Sequence, residues 1–225
     1  MSIGTKHESS LHRELKFQYA GQDGQTEAEV AGFVADGINA EGEYIEVQTG
    51  SFGPLKKKAA ALRRLKVIHP VIIAKYIEVY DKKGRLQYRR KSPRKGTPWD
   101  LFDVLVYAPD LPLIPGLVIE LALVDAAEQR VQDGKGSWRR RGVSIRDRRI
   151  LAVHDRITLK KPSDYIRFAP FKKNEKFTSA LLAKKAGINV DLARKTLYVL
   201  KKLGIVKKTG KQGNSFVYVR KGSRE

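Results

Sequence analysis

Acidic side chains near the N-terminus are the residues of this chain best suited to chemistry. Glu14 lies in a helical pattern, Asp36 ends a strand-like segment, and Glu46-Val47-Gln48 lies in the next one. Carboxylate oxygens are the ligands that Mg²⁺ and other hard divalent cations prefer. We therefore expect a metal site here, formed by these carboxylates with the amide of Gln48 beside them.

The charge distribution indicates what such a site would act on. Residues 1–50 carry three Lys or Arg and nine Asp or Glu, whereas the whole chain has a net charge of +21 and a pI near 10.1. An acidic pocket in a strongly basic protein suits a metal-dependent enzyme acting on a polyanion, because phosphate backbones attract Lys and Arg. The sequence contains no Cys, which excludes disulfides, thiolate metal sites and Cys nucleophiles.

The elements expected to carry the acidic residues follow from periodicity. Leu11, Glu14, Leu15 and Gln18 recur at helical spacing, which places Glu14 on the buried side of a helix. The alternative is a boundary glutamate paired with an arginine.

Two strands are predicted at residues 29–36 and 44–49, with a loop over 37–42. Period-two geometry places Glu46 and Gln48 on one face, and a hairpin would bring Asp36 opposite Glu46. Opposed carboxylates are unfavourable unless a cation lies between them, so a divalent metal is one solution. An ordinary hairpin with a polar outer face is the other.

Helix-Glu, strand-Asp and Glu-x-Gln on the next strand together resemble the PD-(D/E)XK (restriction-endonuclease-like) nuclease superfamily. The resemblance covers about the first third of the chain. It implies Mg²⁺ or Mn²⁺ bound by Asp36, Glu46 and the backbone carbonyl of Val47, with Glu14 supporting the metal. It also implies that Glu14, Asp36, Glu46 and Gln48 form the catalytic set of a deoxyribonuclease.

The sequence departs from that family at Gln48, where the usual residue is a lysine that orients the attacking water and stabilises developing charge. Lys16 or one of Lys56 to Lys58 could replace the missing cation. Metal-bound hydroxide could instead suffice, or the site could have lost catalysis and retained only binding.

The rest of the N-terminal part fits an α/β class with a mixed sheet flanked by helices. A helix is expected over 52–66 and a β-rich stretch over 67–80, interrupted at Pro70. We assign residues 1–158 to a nuclease-like domain, 159–175 to a charged linker with two prolines, and 176–225 to a second domain.

The second domain has a clear pattern. Helices are predicted over 180–186 and 190–203, ended by Gly187 and Gly204, and strands over 205–208 and 215–220. This order resembles a winged helix, which favours DNA binding over protein contact because residues 160–225 carry eighteen basic and four acidic residues.

Nucleic-acid contacts are predicted at three groups of basic and aromatic residues, although a lone basic run is more often a solvated loop. They are Arg89, Arg90, Lys91, Arg94 and Lys95; Trp138, Arg139, Arg140 and Arg141; and Arg194, Lys195, Tyr198, Lys201, Lys202, Lys208 and Lys211.

The sequence therefore predicts a Mg²⁺- or Mn²⁺-dependent DNA endonuclease with winged-helix DNA binding. The alternative is a non-catalytic nucleic-acid-binding or regulatory protein with a degenerate nuclease fold. The expected partner is DNA, with RNA left open, in a cytoplasmic, nucleoid-associated setting; a homodimer is an option. A membrane-surface role lacks an amphipathic helix to support it, and no apolar run reaches the roughly 20 residues of a membrane span.

Overall fold

A computed structural model describes residues 8–20 and 25–221, so the two ends of the chain and residues 21–24 lie outside it. The first six elements form a helix, three strands, a helix and a long strand. They are α1 (Ser10–Ala20), β1 (Gln25–Val30), β2 (Phe33–Ile38), β3 (Tyr44–Val47), α2 (Leu55–Ala61) and β4 (Leu65–Tyr80).

The following elements complete a large sheet and begin the C-terminal part. They are β5 (Leu86–Lys91), α3 (Leu101–Leu105), β6 (Val118–Gln132), β7 (Val143–Leu159), β8 (Lys176–Phe177), α4 (Ser179–Ala186), α5 (Val190–Lys202), β9 (Val206–Gln212) and β10 (Ser215–Arg220). Short 3₁₀ turns lie at Pro98–Asp100, Leu111–Leu113, Trp138–Arg140 and Pro162–Phe168.

The large sheet is seven-stranded and mixed. Its order is β1-β2-β3-β4-β6-β7, with β5 paired to the distal half of β4. β4 runs parallel to both β3 and β6, and the other neighbours are antiparallel. This confirms the predicted α/β class with a mixed sheet.

Helices cover both faces of that sheet. Adjacent residues of a strand point to opposite faces, and Val67 and Ile68 of β4 belong to different apolar clusters. Ile68 packs with Leu11 and Leu15 of α1, whereas Val67 lies in the larger cluster with α2 and α3. Helix α1 therefore lies on one face of the sheet and helix α2 on the other, with β3 between them.

The N-terminal strands differ from the sequence prediction. The predicted single strand over 29–36 is a hairpin, in which β1 and β2 pair around Ala31 and Gly32. Both turn residues have positive φ, 50° and 76°, which is the backbone of the tightest two-residue hairpin turns. Alanine rarely adopts that conformation, so the residue types did not predict a turn at this position.

Two further elements differ in extent. The helix predicted over 52–66 is limited to α2, because Leu62 adopts an extended conformation and ends it. The interruption expected at Pro70 is wrong: β4 continues through Pro70, which is paired in register with Ala122 of β6.

The segment predicted as a linker, 159–175, is packed rather than free. Its 3₁₀ turn buries Tyr165 and Phe168, and the Phe168 ring lies 4.9 Å from that of Phe102 in an edge-to-face pair. The ring of Phe171 stacks on Phe177 of β8 at 3.9 Å. These buried aromatic rings therefore join the N-terminal and C-terminal parts of the chain in one apolar cluster. The many charged residues of the segment led to the prediction of a linker instead.

The C-terminal part has the predicted helices and hairpin. The Thr178 side chain accepts a hydrogen bond from the N–H of Leu181, and the Asn189 side chain accepts one from the N–H of Leu192. These side chains cap α4 and α5. Gly187 ends α4 with a left-handed φ of 66°. β8, β10 and β9 form a small antiparallel sheet beside the two helices.

Across the described ranges, the structure has no helix that combines the length and the apolar character needed to span a membrane.

Candidate functional site

The candidate site lies where β2 and β3 separate. Their ladder runs from the Ile38–Tyr44 pair to the Gly37–Ile45 pair. Asp36 and Glu46 occupy the next position on each strand. The carboxylate of Asp36 accepts a 2.8 Å hydrogen bond from the backbone N–H of Val47 instead. The two residues thus continue the register of the strand pairing, but they are not themselves a pair of the ladder.

Two side chains of α1 reach the Asp36 carboxylate. His12 Nε2 lies 3.1 Å from Oδ2, and Lys16 Nζ lies 3.4 Å from Oδ1. His12 and Lys16 are one helical turn apart, so both project from the same side of α1. Leu11 and Leu15, the buried residues beside them, fix α1 against the sheet and so set this approach.

These contacts determine the ionisation of Asp36. Burial alone would raise its pKa, but hydrogen bonds from His12 and from the Val47 N–H outweigh burial and hold the pKa below its ordinary value. For His12, burial would lower the pKa, whereas the hydrogen bond and charge of Asp36 raise it above 6.5. The pair therefore favours a carboxylate beside an imidazolium.

Glu46 is approached from the other side of the sheet. Lys58 of α2 bonds the Glu46 carboxylate and donates a 2.6 Å hydrogen bond to the carbonyl of Val34. Lys58 is 8% exposed, unusually buried for a lysine. Burial raises the pKa of Glu46; the Lys58 bond lowers it and the charge of Asp36 raises it again, with a net increase.

Gln48 does not take part in this cluster. Its side-chain amide donates a 2.7 Å hydrogen bond to the carbonyl of Ser51. Its own carbonyl lies 2.7 Å from Nδ1 of the buried His69. The residue thus shapes the turn that follows β3.

Glu14 lies apart from the other predicted acidic residues. Its carboxylate accepts a 3.1 Å hydrogen bond from the backbone N–H of Ile150 on β7. The side chains of Asp36 and Glu46 are bonded instead to His12, Val47 and Lys58. Glu14 therefore anchors α1 to the sheet. Its partner is a backbone N–H, whereas the alternative drawn from the sequence was a boundary glutamate paired with an arginine.

The donor set fits a divalent cation only with help from the backbone or water. Among the residues that the structure describes, no group of three or more His, Asp or Glu side chains is arranged as a metal site. Asp36 and Glu46 supply two hard oxygen ligands whose charges repel, a situation that a cation relieves. The carbonyl of Val47 is the third ligand that the sequence resemblance implies.

The C-terminal basic residues are mostly exposed. Arg194, Tyr198, Lys201 and Lys202 form an exposed stripe on α5. Lys208 and Lys211 lie on β9, with their ammonium groups 3.3 Å and 5.3 Å from the centre of the Phe216 ring.

Lys195 differs from its neighbours on α5. Its ammonium lies 3.0 Å from Asp103 of α3 and 2.7 Å from Asp191. The hydrogen bonds that Lys195 donates to Asp191 and Asp103 raise its pKa. Lys195 therefore joins α5 to α3 in this structure, whereas the sequence suggested a contact with nucleic acid.

The other predicted contacts lie at the distal end of the large sheet. We call residues 76–95 and 128–149 the distal arm; it carries sixteen Lys or Arg and five Asp or Glu. Its exposed members include Arg89, Arg90 and Lys91 on β5, Arg94 and Lys95 after it, and Trp138, Arg139 and Arg141 before β7. Arg140 is half-buried and donates to the carbonyl of Val143 at 3.1 Å.

Sequence reasoning missed one member of the site and left another undecided. His12 was not identified, because a lone histidine in a helix carries no distinctive spacing. Lys58 was one of several basic residues in its helix. The available signal was the i,i+4 spacing of His12 and Lys16 beside the buried stripe of Leu11 and Leu15.

Comparisons with known proteins identify a family without describing an activity. A protein from Treponema pallidum (strain Nichols), named "Uncharacterized protein", is 30% identical over 156 residues, which is 68% of this chain and 62% of that protein. The chain thus spans less than two thirds of that relative. A search of solved structures found no match. The sequence model of one family matches residues 9–160. This chain therefore belongs to the family described as "Domain of unknown function (DUF8091)".

Proposed function

We propose that this protein is a Mg²⁺- or Mn²⁺-dependent nuclease that hydrolyses phosphodiester bonds in DNA. The observation that carries the proposal is the position of Asp36 and Glu46 where β2 and β3 separate: the charge of Asp36 raises the pKa of Glu46, and Lys58 bonds Glu46. A catalytic site of this kind needs carboxylates for the metal and a cation for the developing phosphate charge. Glu46 and Lys58 come from elements whose apolar residues lie in the clusters on the two faces of the sheet, and Asp36 lies on the strand that pairs with β3.

The fold supports the same proposal. Asp36 on one strand, Glu46 on its neighbour and a mixed sheet between helices agree with the PD-(D/E)XK pattern that the sequence resembles. The family match ends at residue 160, shortly before the C-terminal helices and hairpin begin. We therefore assign the nuclease-like activity to the matched part and the winged-helix role to the remainder.

The metal would be held by Asp36, Glu46 and the carbonyl of Val47, where it would activate water and neutralise charge on the phosphate. Lys58, which bonds Glu46, would supply the cation that the usual family lysine provides and that Gln48 cannot. His12 and Lys16 keep Asp36 ionised and oriented through their contacts with its two oxygens. Gln48 and Glu14 hold the local backbone at Ser51 and Ile150.

Nucleic acid would be held by exposed basic surfaces on both parts of the chain. The stripe on α5 and the lysines of β9 suit the phosphate contacts of a winged helix. DNA is the favoured partner, since a helix presenting Arg and Lys suits a major groove, and a protein with this partner would associate with the nucleoid in the cytoplasm. A homodimer would supply the second site needed to cut both strands.

A second candidate function is nucleic-acid binding without hydrolysis, and two observations favour it. Both carboxylates already have cationic partners, His12 and Lys16 at Asp36 and Lys58 at Glu46. Gln48, moreover, is turned to Ser51. A regulator with a degenerate nuclease fold would retain this arrangement as an ion-pair network.

Cleavage separates the two candidates. Wild-type protein, Asp36→Asn and Glu46→Gln are incubated with supercoiled plasmid, linear duplex, single strands, a flap, a junction and RNA in Mg²⁺ or Mn²⁺. The nuclease proposal expects metal-dependent products with at least one substrate and a loss of about 100-fold or more in either variant. Binding without products on every substrate would establish the second candidate. Cutting by both variants at the wild-type rate would show a contaminating activity.

A further inference from the structure

A cavity of about 430 Å³ opens on the distal arm, far from the carboxylates. Its lining includes Tyr88 of β5, Arg130 of β6, and Arg140 and Arg141 of the turn before β7. The volume lies within the range of roughly 300–1,000 Å³ for small-molecule sites. Glu46 pairs with Val67 and Tyr88 pairs with Val79 of the same strand. Twelve residues of strand separate the two sites by about 35–40 Å.

The charge of this cavity suits an anion. Its described lining holds three arginines and no carboxylate. Arg130 is compensated by Glu128, to which it donates hydrogen bonds of 2.5 Å and 2.8 Å. Arg140 and Arg141 form no ion pair with any carboxylate of the described residues. The Nε of Arg140 donates to the Val143 carbonyl, which fixes its guanidinium at the cavity wall. Guanidinium groups held in this way suit phosphate oxygens.

The turn that supplies these arginines is tightly built. Gly136 donates a 3.0 Å hydrogen bond to the carbonyl of Gly142. A Cβ added at Gly136 would lie 1.9 Å from the carbonyl oxygen of Val143, so only glycine allows this approach. Arg141 has a left-handed φ of 50°, and Gly142 follows at 75°. The turn therefore presents its side chains from a defined backbone.

Two aromatic rings stand beside the arginines. Tyr88 lines the cavity and is 47% exposed, and Trp138 on the same turn as Arg140 is 84% exposed. The Arg139 guanidinium lies 5.7 Å from the Trp138 ring centre. Exposed aromatic faces near arginines are the platforms on which unpaired bases stack. A base inside a duplex has no free face to offer them.

We propose that this cavity binds an unpaired nucleotide of a single-stranded nucleic acid, with its phosphate at Arg140 and Arg141 and its base on Trp138 or Tyr88. Binding at this cavity does not depend on the proposed nuclease function. The inference about the substrate does rest on that function: the substrate would carry a single-stranded segment about 35–40 Å from the cleavage point.

Fluorescence tests the binding site without any cleavage. End-labelled octathymidylate and a matched, labelled eight-base-pair duplex are titrated in EDTA with wild type, Trp138→Phe, Arg141→Ala and the control Arg85→Ala, and the fluorescence anisotropy of the label gives each affinity. Arg85 lies on the same arm, is 73% exposed and pairs with Asp81. The chain has two tryptophans, so Trp138→Phe leaves Trp99 as an internal reference. Thermal melting confirms that each variant is folded.

The proposal expects the single strand to quench tryptophan emission in wild type. It expects about tenfold weaker binding in Trp138→Phe and Arg141→Ala and less than twofold change in Arg85→Ala. Equal affinity for strand and duplex, or the same loss in all three variants, would show that only general charge attraction acts here. Asp36→Asn should bind the strand like wild type, so an absence of cleavage would leave this result intact.

Discussion

The Asp36 carboxylate accepts a 2.8 Å hydrogen bond from the backbone N–H of Val47, at the point where the β2–β3 ladder stops. This bond replaces a strand-to-strand backbone contact with a side-chain contact. It holds the Asp36 carboxylate where the strands separate, and the charge of Asp36 there raises the pKa of Glu46. Because the backbone of β3 is fixed in the sheet by its parallel pairing with β4, the position of Asp36 is fixed with it.

Lys58 should be required for cleavage, whereas its neighbour Lys57 should not. Lys58→Met removes the cation at Glu46 and leaves that half-buried carboxylate without its partner, at a cost of about 1–3 kcal/mol in stability. Lys57 is exposed on the same helix and provides the matched control, Lys57→Met. Cleavage rates and urea unfolding measure both effects. Equal activity of the two variants would remove Lys58 from the proposed mechanism.

Glu14 should matter for stability more than for activity. Glu14→Ala leaves the N–H of Ile150 without its acceptor, so we expect a loss of about 1 kcal/mol in unfolding free energy. Cleavage by the folded variant should stay within about threefold of wild type. Thermal melting and initial rates provide the two readouts. A loss of activity as large as that of Asp36→Asn would instead support the metal-supporting role that the sequence resemblance implies.

Adjacent basic residues of α5 should contribute differently to DNA binding. Arg194→Ala should weaken duplex binding and reduce the salt slope by about one, because Arg194 is exposed. Lys195→Ala should have a smaller effect, since Lys195 is held by Asp103 and Asp191. Fluorescence anisotropy at several salt concentrations compares them. Equal losses would mean that Lys195 leaves its ion pairs when DNA binds.

The His12–Asp36 pair should make stability depend on pH in metal-free protein. Since the folded pKa of His12 is raised above 6.5, its contribution is complete below 6.5 and is lost as pH rises through the folded pKa. Since the folded pKa of Asp36 lies below 3.8, its contribution is complete above 3.8 and is lost as pH falls through the folded pKa.

Urea unfolding of wild type and His12→Ala in EDTA tests this window. The difference in unfolding free energy should be largest between about pH 4 and 6.5 and should shrink at higher pH. A difference that grows above pH 7 would mean that His12 is held neutral. Histidine NMR offers an independent check, because burial lowers the pKa of His69 whereas that of His12 is raised.

The sequence predicted the C-terminal helices and hairpin, and the pairing of the strands that carry Asp36 and Glu46, because those features depend on local rules. Capping residues at Thr178 and Asn189 and a glycine at 187 mark helix ends wherever they occur. Strand alternation likewise places the side chains of Glu46 and Ile45 on opposite faces of the sheet. Such signals involve only residues that are close together along the chain.

The remaining features depend on contacts between distant residues. Glu14 meets Ile150 across 136 positions, and Lys195 meets Asp103 across 92. The burial of Phe168 against Phe102 likewise follows from packing that no local pattern records. His12 contacts Asp36 because α1 packs on the sheet with Leu11 and Leu15 buried. This packing directs the neighbouring side chain of His12 towards Asp36.

Binding of Mn²⁺ tests most directly whether Asp36 and Glu46 form a divalent-metal site. Electron paramagnetic resonance of free Mn²⁺ gives the number of ions bound per chain in wild type, Glu14→Gln and the double variant Asp36→Asn, Glu46→Gln. We predict at least one ion per chain in wild type and Glu14→Gln, with one fewer in the double variant. A wild-type protein that binds no Mn²⁺, or a double variant that binds as much as wild type, would contradict the account.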